Sequence, residues 1–267
     1  MAYSYTQLAH YLGCPRRYKY RYIDGWKERA TRSGLLFGRA FEIALASLFR
    51  GEDATEVLLR EWSPAKQLAV EYTHGDTWDR MLQQGIKLLE LFAQYDRVRI
   101  QDPLQDLQIK LTRQLAGNRE FVAYIDAIGE LDGIPCVIDW KTTSARYPEE
   151  PKGLLALDPQ LVGYSWITGL RNVAFVVFVR KRHPEIQYLK AEITDQQRAE
   201  FGQLVQDMIA RIEEGTFHCR SGIRFPQNGC VSCSYLGLCL GNNDLTDRNL
   251  IQRPGEPELG WLDEIPY

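Results

Sequence analysis

Apolar positions recur at helical spacing through the first hundred residues and then switch to short strand-like runs. Residues 4–23 and 34–50 read as helices, the first with Ser4 or Thr6 available as N-cap. Helical character continues from 51 to about 97, broken at Pro64 and around His74 and Gly75. Beyond Pro103, β-branched and aromatic runs bounded by turn formers occupy 107–115, 120–131, 134–143, 172–180 and 186–193. Residues 158–170 have helical spacing, and 194–215 form a capped helical pattern ending at Gly215. This order of helices, three strands, helix, two strands and helix predicts an α/β or α+β core with helical additions.

Composition narrows the class. The 267 residues are 45% hydrophobic and 25% charged, which suits a globular chain with one large domain or two small ones. No run reaches the roughly 18 apolar residues of a membrane span, and the N-terminus lacks a signal-peptide layout. A cytoplasmic protein with no membrane partner is expected. Its six cysteines then suggest metal ligands or core residues ahead of disulfides.

The net charge of −3 is unevenly spread. Between Arg16 and Arg32, seven Lys/Arg face two acids, with Tyr18, Tyr20, Tyr22 and Trp26 interleaved. Arg16, Arg17, Lys19 and Arg21 are therefore candidates for holding a nucleic-acid backbone; a solvated helix face is the alternative. Residues 241–267 carry six acids against two arginines, an acidic tail.

The run VIDWKTT, 137–143, ends an apolar strand with two opposite charges. Side chains alternate along a strand, so Asp139 and Lys141 share one face. Upstream, Asp132-Gly133 is a two-residue hairpin signal. With those residues as the loop, opposed residue numbers total 265, and Asp126 falls across from Asp139 at a Cβ separation of about 5 Å. Two carboxylates so placed repel, and a divalent cation would compensate them. Hard oxygen ligands suit Mg²⁺ or Mn²⁺, which can activate a water toward a phosphodiester, with Lys141 orienting or deprotonating that water or screening the phosphate. The alternative is a surface hairpin whose Asp and Lys face solvent.

YIDAIGELDGIPCVIDWKTT, 124–143, resembles the core of the PD-(D/E)xK nuclease superfamily, in particular its RecB-like and Cas4-like branch. That branch places an aspartate in one strand and Asp-x-Lys-Thr at the end of the next, as Asp126 and Asp139 to Thr142 do here. A downstream Gln-x-x-x-Tyr helix is matched by Gln160 and Tyr164. The family's upstream glycine, followed four residues later by a histidine, appears as Gly38 and Glu42, a glutamate in place of the imidazole. The resemblance implies a restriction-endonuclease-like fold, a mixed central sheet flanked by helices, with helical N-terminal additions and a Cys-rich C-terminal segment. It further implies catalytic roles for Asp126, Asp139, Lys141, Gln160 and Tyr164, and a Mg²⁺ or Mn²⁺ ion on Glu42, Asp126 and Asp139.

Cys230, Cys233 and Cys239, with Cys14 far upstream, can close a zinc site or a [4Fe–4S] cluster. Cas4-like and AddB-like nucleases resemble this layout, which implies an iron–sulfur clamp between the chain ends. Cys136 and Cys219 are expected to be core residues. The expected organisation is one nuclease domain over 1–240, carrying a helical insertion at 51–97, followed by the acidic tail. The expected activity is exonucleolytic cleavage of single-stranded or frayed DNA in CRISPR adaptation, recombination repair or phage-related processing, with a Cas1/Cas2-type integrase or a helicase as protein partner. A catalytically weak DNA-end-binding or partner-binding module is the rival expectation.

Overall fold

The strand-like runs beyond Pro103 pair with one another as the sequence suggests, and the helices between residues 33 and 93 pack against one face of the resulting sheet. The computed structural model describes residues 2–73, 75–219 and 229–252. From the N-terminus, β1 (Ala2–Ser4) leads into α1 (Tyr5–Gly13), α2 (Pro15–Tyr18) and the short strands β2 (Trp26–Glu28) and β3 (Thr31–Arg32). Three longer helices follow: α3 (Ser33–Phe49), α4 (Ala54–Trp62) and, beyond β4 (Val70–Glu71), α5 (Trp78–Ala93). Strands β5 (Val98–Arg99), β6 (Leu107–Leu115), β7 (Arg119–Leu131) and β8 (Ile134–Thr143) precede α6 (Pro159–Thr168). Then come β9 (Asn172–Val179), β10 (Glu185–Glu192), α7 (Asp195–Glu213), α8 (Leu236–Leu240), α9 (Asn243–Asn249) and β11 (Leu250–Gln252). Among the described residues no helix is long and apolar enough to cross a membrane.

The chain divides into two compact units, the larger formed by Arg32–Gln114 and Val122–Gly202. Its sheet runs β7-β8-β9-β10, with β5 and β6 also pairing with β7. The β7–β8 hairpin turns at Asp132 and Gly133, both at positive φ (54° and 77°), the backbone a tight two-residue hairpin requires. Strands β8 and β9 are parallel, setting Asp139 beside Phe175 and Lys141 beside Val177. Ile138 and Trp140 of β8 and Ala174, Val176 and Phe178 of β9 enter one core with Phe37 and Phe41 of α3, Leu58 and Trp62 of α4, and Met81, Leu88 and Phe92 of α5. Gly85 permits that packing: a Cβ there would stand 2.7 Å from the Phe37 ring and 2.9 Å from Leu58. Because side chains alternate, Asp139 and Lys141 point away from this core.

The smaller unit comprises Met1–Thr31, Leu115–Phe121 and Gln203–Tyr267. The helix expected over 4–23 breaks at Cys14, whose φ of −165° is extended. Pro15 is the cause, since its ring disfavours helical geometry in the preceding residue. Ser4 caps α1 in a capping box with Gln7. The Tyr11 hydroxyl donates to the Thr216 carbonyl at 2.7 Å, and β11 pairs antiparallel with β2. Early and late segments of the chain are thereby joined within this unit. Of the acidic tail, 253–267 lies outside the described residues.

Candidate active site

The β7–β8 ladder runs from Leu131 paired with Ile134 to Ala127 paired with Ile138. Asp126 and Asp139 stand one step beyond the last paired position. There the ladder opens, and Asp126 Oδ2 accepts a hydrogen bond from the Trp140 backbone N–H at 2.7 Å. Asp139 is 1% exposed. The Lys141 ammonium lies 2.7 Å from Asp139 Oδ2, yet that oxygen has no hydrogen bond of acceptable angle. The contact is an ion pair, and the oxygen's lone pairs are incompletely used.

Helix α6 holds the lysine from the other side. Asp158 caps it by accepting from the Gln160 and Leu161 N–H groups, and Pro159 occupies the first turn. Lys141 Nζ donates to Gln160 Oε1 at 3.0 Å. Gln160 Nε2 donates to the Tyr164 hydroxyl at 2.9 Å, which donates to the Tyr124 carbonyl at 2.7 Å. The i, i+4 spacing read in the sequence puts both groups in one relay. Glu42 Oε1, on α3, accepts from Gln108 Nε2 at 3.0 Å and from Arg39 at 3.4 Å.

Burial, then the charges of Asp139 and Glu42, push the Asp126 carboxyl well above the usual carboxylate range, against Lys141 and the Trp140 N–H. Burial also raises Asp139; Lys141 opposes it, while Asp158 and Glu42 add to it. Burial works against the Lys141 ammonium, but Asp139 and Asp126 outweigh it and hold its pKa above normal. Lys141 therefore remains charged, a donor and not a base. Burial beside Asp139 and Asp126 likewise keeps the Tyr164 phenol protonated.

This donor set fits a hard divalent cation: Asp139 is buried, its charge adds to the raised pKa of the half-buried Asp126 carboxyl, and Asp139 Oδ2 lacks a hydrogen bond beside its ion pair with Lys141. Among the described residues, no three His, Cys, Asp or Glu side chains form a ready-made cage. An ion here would depend on water or substrate oxygens as well as protein.

Two neighbours escaped the sequence reading. Asp158 acts electrostatically on Asp139; its Asp-Pro signature marks a helix start but not that proximity. Tyr147 also lies within electrostatic reach of Lys141 and Asp139, its pKa raised by burial. Gln187 holds the Tyr147 backbone through both its N–H and its carbonyl. No local pattern marks such a residue.

In the smaller unit, burial raises the Cys233 thiol, Arg17 opposes, and Cys14 and Cys230 add to the shift. Burial raises Cys239 as well, with Tyr20 opposing and Cys219 and Cys233 adding. Among the described residues these cysteines form no metal-holding group. Cys136 is buried, its thiol pushed up to about 11 by burial. Cys219 is exposed, contrary to the expected core position. The expected row of four cations is also altered. Arg21 is buried, and both Asp24 oxygens hold Lys19 at 2.7 and 2.8 Å, leaving Arg16 and Arg17 half-buried.

The family model of the PD-(D/E)XK nuclease superfamily matches residues 2–240. Among solved structures, the chain is similar to a protein named "Putative exonuclease" from Eubacterium rectale, with 14% identity, 86% of each chain covered and a TM-score of 0.49. It is similar also to SSO0001, with 15% identity, 88% of this chain and 93% of that one covered, and a TM-score of 0.35. No curated protein matches it in sequence.

Proposed function

The chain belongs to the PD-(D/E)XK nuclease superfamily, and from that premise we propose a metal-dependent DNA exonuclease acting on single-stranded or frayed ends. The observation that carries this is the Lys141 ammonium fixed between buried Asp139 and Gln160. Asp126, Asp139 and Glu42 would hold Mg²⁺ or Mn²⁺. Such an ion, when bound, lowers the pKa of a water and neutralises charge on the phosphoryl group. Lys141 donates to a phosphate oxygen and stabilises the negative charge that builds there. Gln160 aims the ammonium, and Tyr164 fixes Gln160. Residues 1–240 make up the nuclease domain in this proposal, with 51–97 as its helical insertion.

A finer proposal follows the RecB-like and Cas4-like branch: Cys14, Cys230, Cys233 and Cys239 hold one [4Fe–4S] cluster, with zinc as the alternative. The charge effect of Cys14 and Cys230 on the Cys233 thiol supports it. Metal analysis of anaerobically purified protein separates the two, about four irons per chain against one zinc.

End-labelled single-stranded DNA incubated with Mn²⁺ tests the activity. Progressive shortening from an end, abolished by chelation and by Asp139→Ala, is expected. Cleavage at a near wild-type rate by Asp139→Ala would overturn the assignment.

A further inference from the structure

The sheet carries an aromatic side chain beside the carboxylates that the cleavage chemistry leaves unused. Tyr124 precedes Asp126 by two positions on β7, so both side chains leave the same face of the strand, roughly 7 Å apart. Most of that strand's aromatic and aliphatic residues are buried, yet Tyr124 is 38% exposed. Its backbone is not free to wander. The Tyr124 carbonyl accepts from the Tyr164 hydroxyl at 2.7 Å, the same hydroxyl that receives Gln160 and, through it, Lys141. The backbone that carries this exposed ring is thus tied by three consecutive hydrogen bonds to the ammonium at the candidate centre.

A cation flanks this ring. Lys110, exposed on β6, places its ammonium 5.5 Å from the Tyr124 ring centroid. Farther along β6, Arg113 lies 4.3 Å over the Trp166 ring and donates to the Trp166 carbonyl at 2.6 Å. A π-face with a neighbouring positive charge suits a nucleotide, whose base stacks while its phosphate takes the cation. A base inside a duplex is covered by its own neighbours, so the ring can accept only an unpaired or terminal base.

We propose that Tyr124 is a stacking platform for the nucleobase next to the scissile phosphate of a single strand, with Lys110 holding an adjoining phosphate. The assignment rests on the nuclease function above and gives it a substrate preference. It carries no base specificity, because every base offers a π-face. Tyr124 is a positioning residue: it aligns the strand and takes no part in bond cleavage.

The test measures binding of fluorescently labelled single-stranded DNA in Ca²⁺ without Mg²⁺ or Mn²⁺, using an intact oligonucleotide and one with abasic residues at its end. Tyr124→Leu should weaken binding of the intact strand about tenfold and leave the abasic strand unaffected, whereas Tyr124→Trp should bind the intact strand like wild type. Lys110→Gln should lower the slope of log affinity against log salt by about one. Tyr95→Leu, an exposed tyrosine elsewhere in the same unit, should bind like wild type. Equal binding by Tyr124→Leu and wild type, or equal losses on intact and abasic strands, would overturn the platform. Wild-type cleavage in Mn²⁺ is measured alongside. Cleavage with unchanged Tyr124→Leu binding removes the platform alone. Absent wild-type cleavage removes the nuclease function, and the intact-against-abasic comparison still decides the platform.

Discussion

The carboxylate centre of the larger unit and the cysteine group of the smaller one are both clusters of candidate ligands, but they are built differently. Asp126 and Asp139 sit at the end of a hydrogen-bonded ladder, and Lys141 is held by a chain of side chains from a ten-residue helix. Cys230 and Cys233 lie in turns, and Cys239 is the penultimate residue of the five-residue α8. A regular scaffold fixes the first cluster with nothing bound. The second has no such scaffold, and under the cluster proposal metal binding would couple to its folding, as is usual in small Cys sites.

Removing a ligand should separate the two regions most sharply. Cys233→Ala should release the bound metal and destabilise the protein by about 3 kcal/mol or more, read from denaturant unfolding and metal analysis. Mn²⁺ binding at the carboxylates should survive while the larger unit stays folded. Unchanged stability and metal content would place Cys233 outside any cluster. Gln160→Ala acts on the relay in the larger unit. Losing the group that aims Lys141 should lower kcat by about tenfold with KM little changed, the size expected for a supporting hydrogen bond at a metal site. A KM effect alone would make Gln160 a strand contact instead.

The smallest effect lies at the hairpin tip. Hydrogen bonds from Arg97 and Lys190 hold the Asp132 carboxyl below the usual carboxylate range. A depressed folded-state pKa means that the stabilisation is present at neutral pH and is lost as pH falls below the unfolded value of about 3.9. Asp132 is 31% exposed in its side chain, so screening limits the contribution to about 1 kcal/mol or less. Asp132→Asn, which tolerates the same positive φ, should melt slightly lower at neutral pH, with the difference starting to narrow below about pH 4 and closing only as the folded-state carboxyl is itself protonated. An unchanged difference across that range would show that the ion pairs contribute nothing.

The same contrast governs how much was legible in the sequence. Asp132-Gly133 is a local signal, and it fixed the strand register as far as Ala127 and Ile138. From that register the facing of Asp126 and Asp139 follows, though not the opening of the ladder between them, which depends on the Trp140 N–H turning to a side chain. Gln160 and Tyr164 were legible as one helical face. Asp158 and Tyr147 were not, because only tertiary packing brings them toward Asp139. In the smaller unit, a local count of charges does not reveal that Arg21 packs inward or that Lys19, still partly exposed, finds Asp24 five residues on. Pro15 was visible, but its consequence at Cys14 was overridden by the longer helical period.

The central proposal is that the opened end of the β7–β8 ladder holds a cation on Asp139 and on Asp126, whose carboxyl the Asp139 charge helps to raise. Thermal unfolding of wild type and Asp126→Asn, each with and without Mn²⁺, tests it most directly. Wild type should melt higher as Mn²⁺ is added, following RT ln(1 + [Mn²⁺]/Kd), whereas Asp126→Asn should show little response and, without metal, melt at or above the wild-type temperature because the repulsion is gone. An equal Mn²⁺-induced rise in both proteins would contradict the claim.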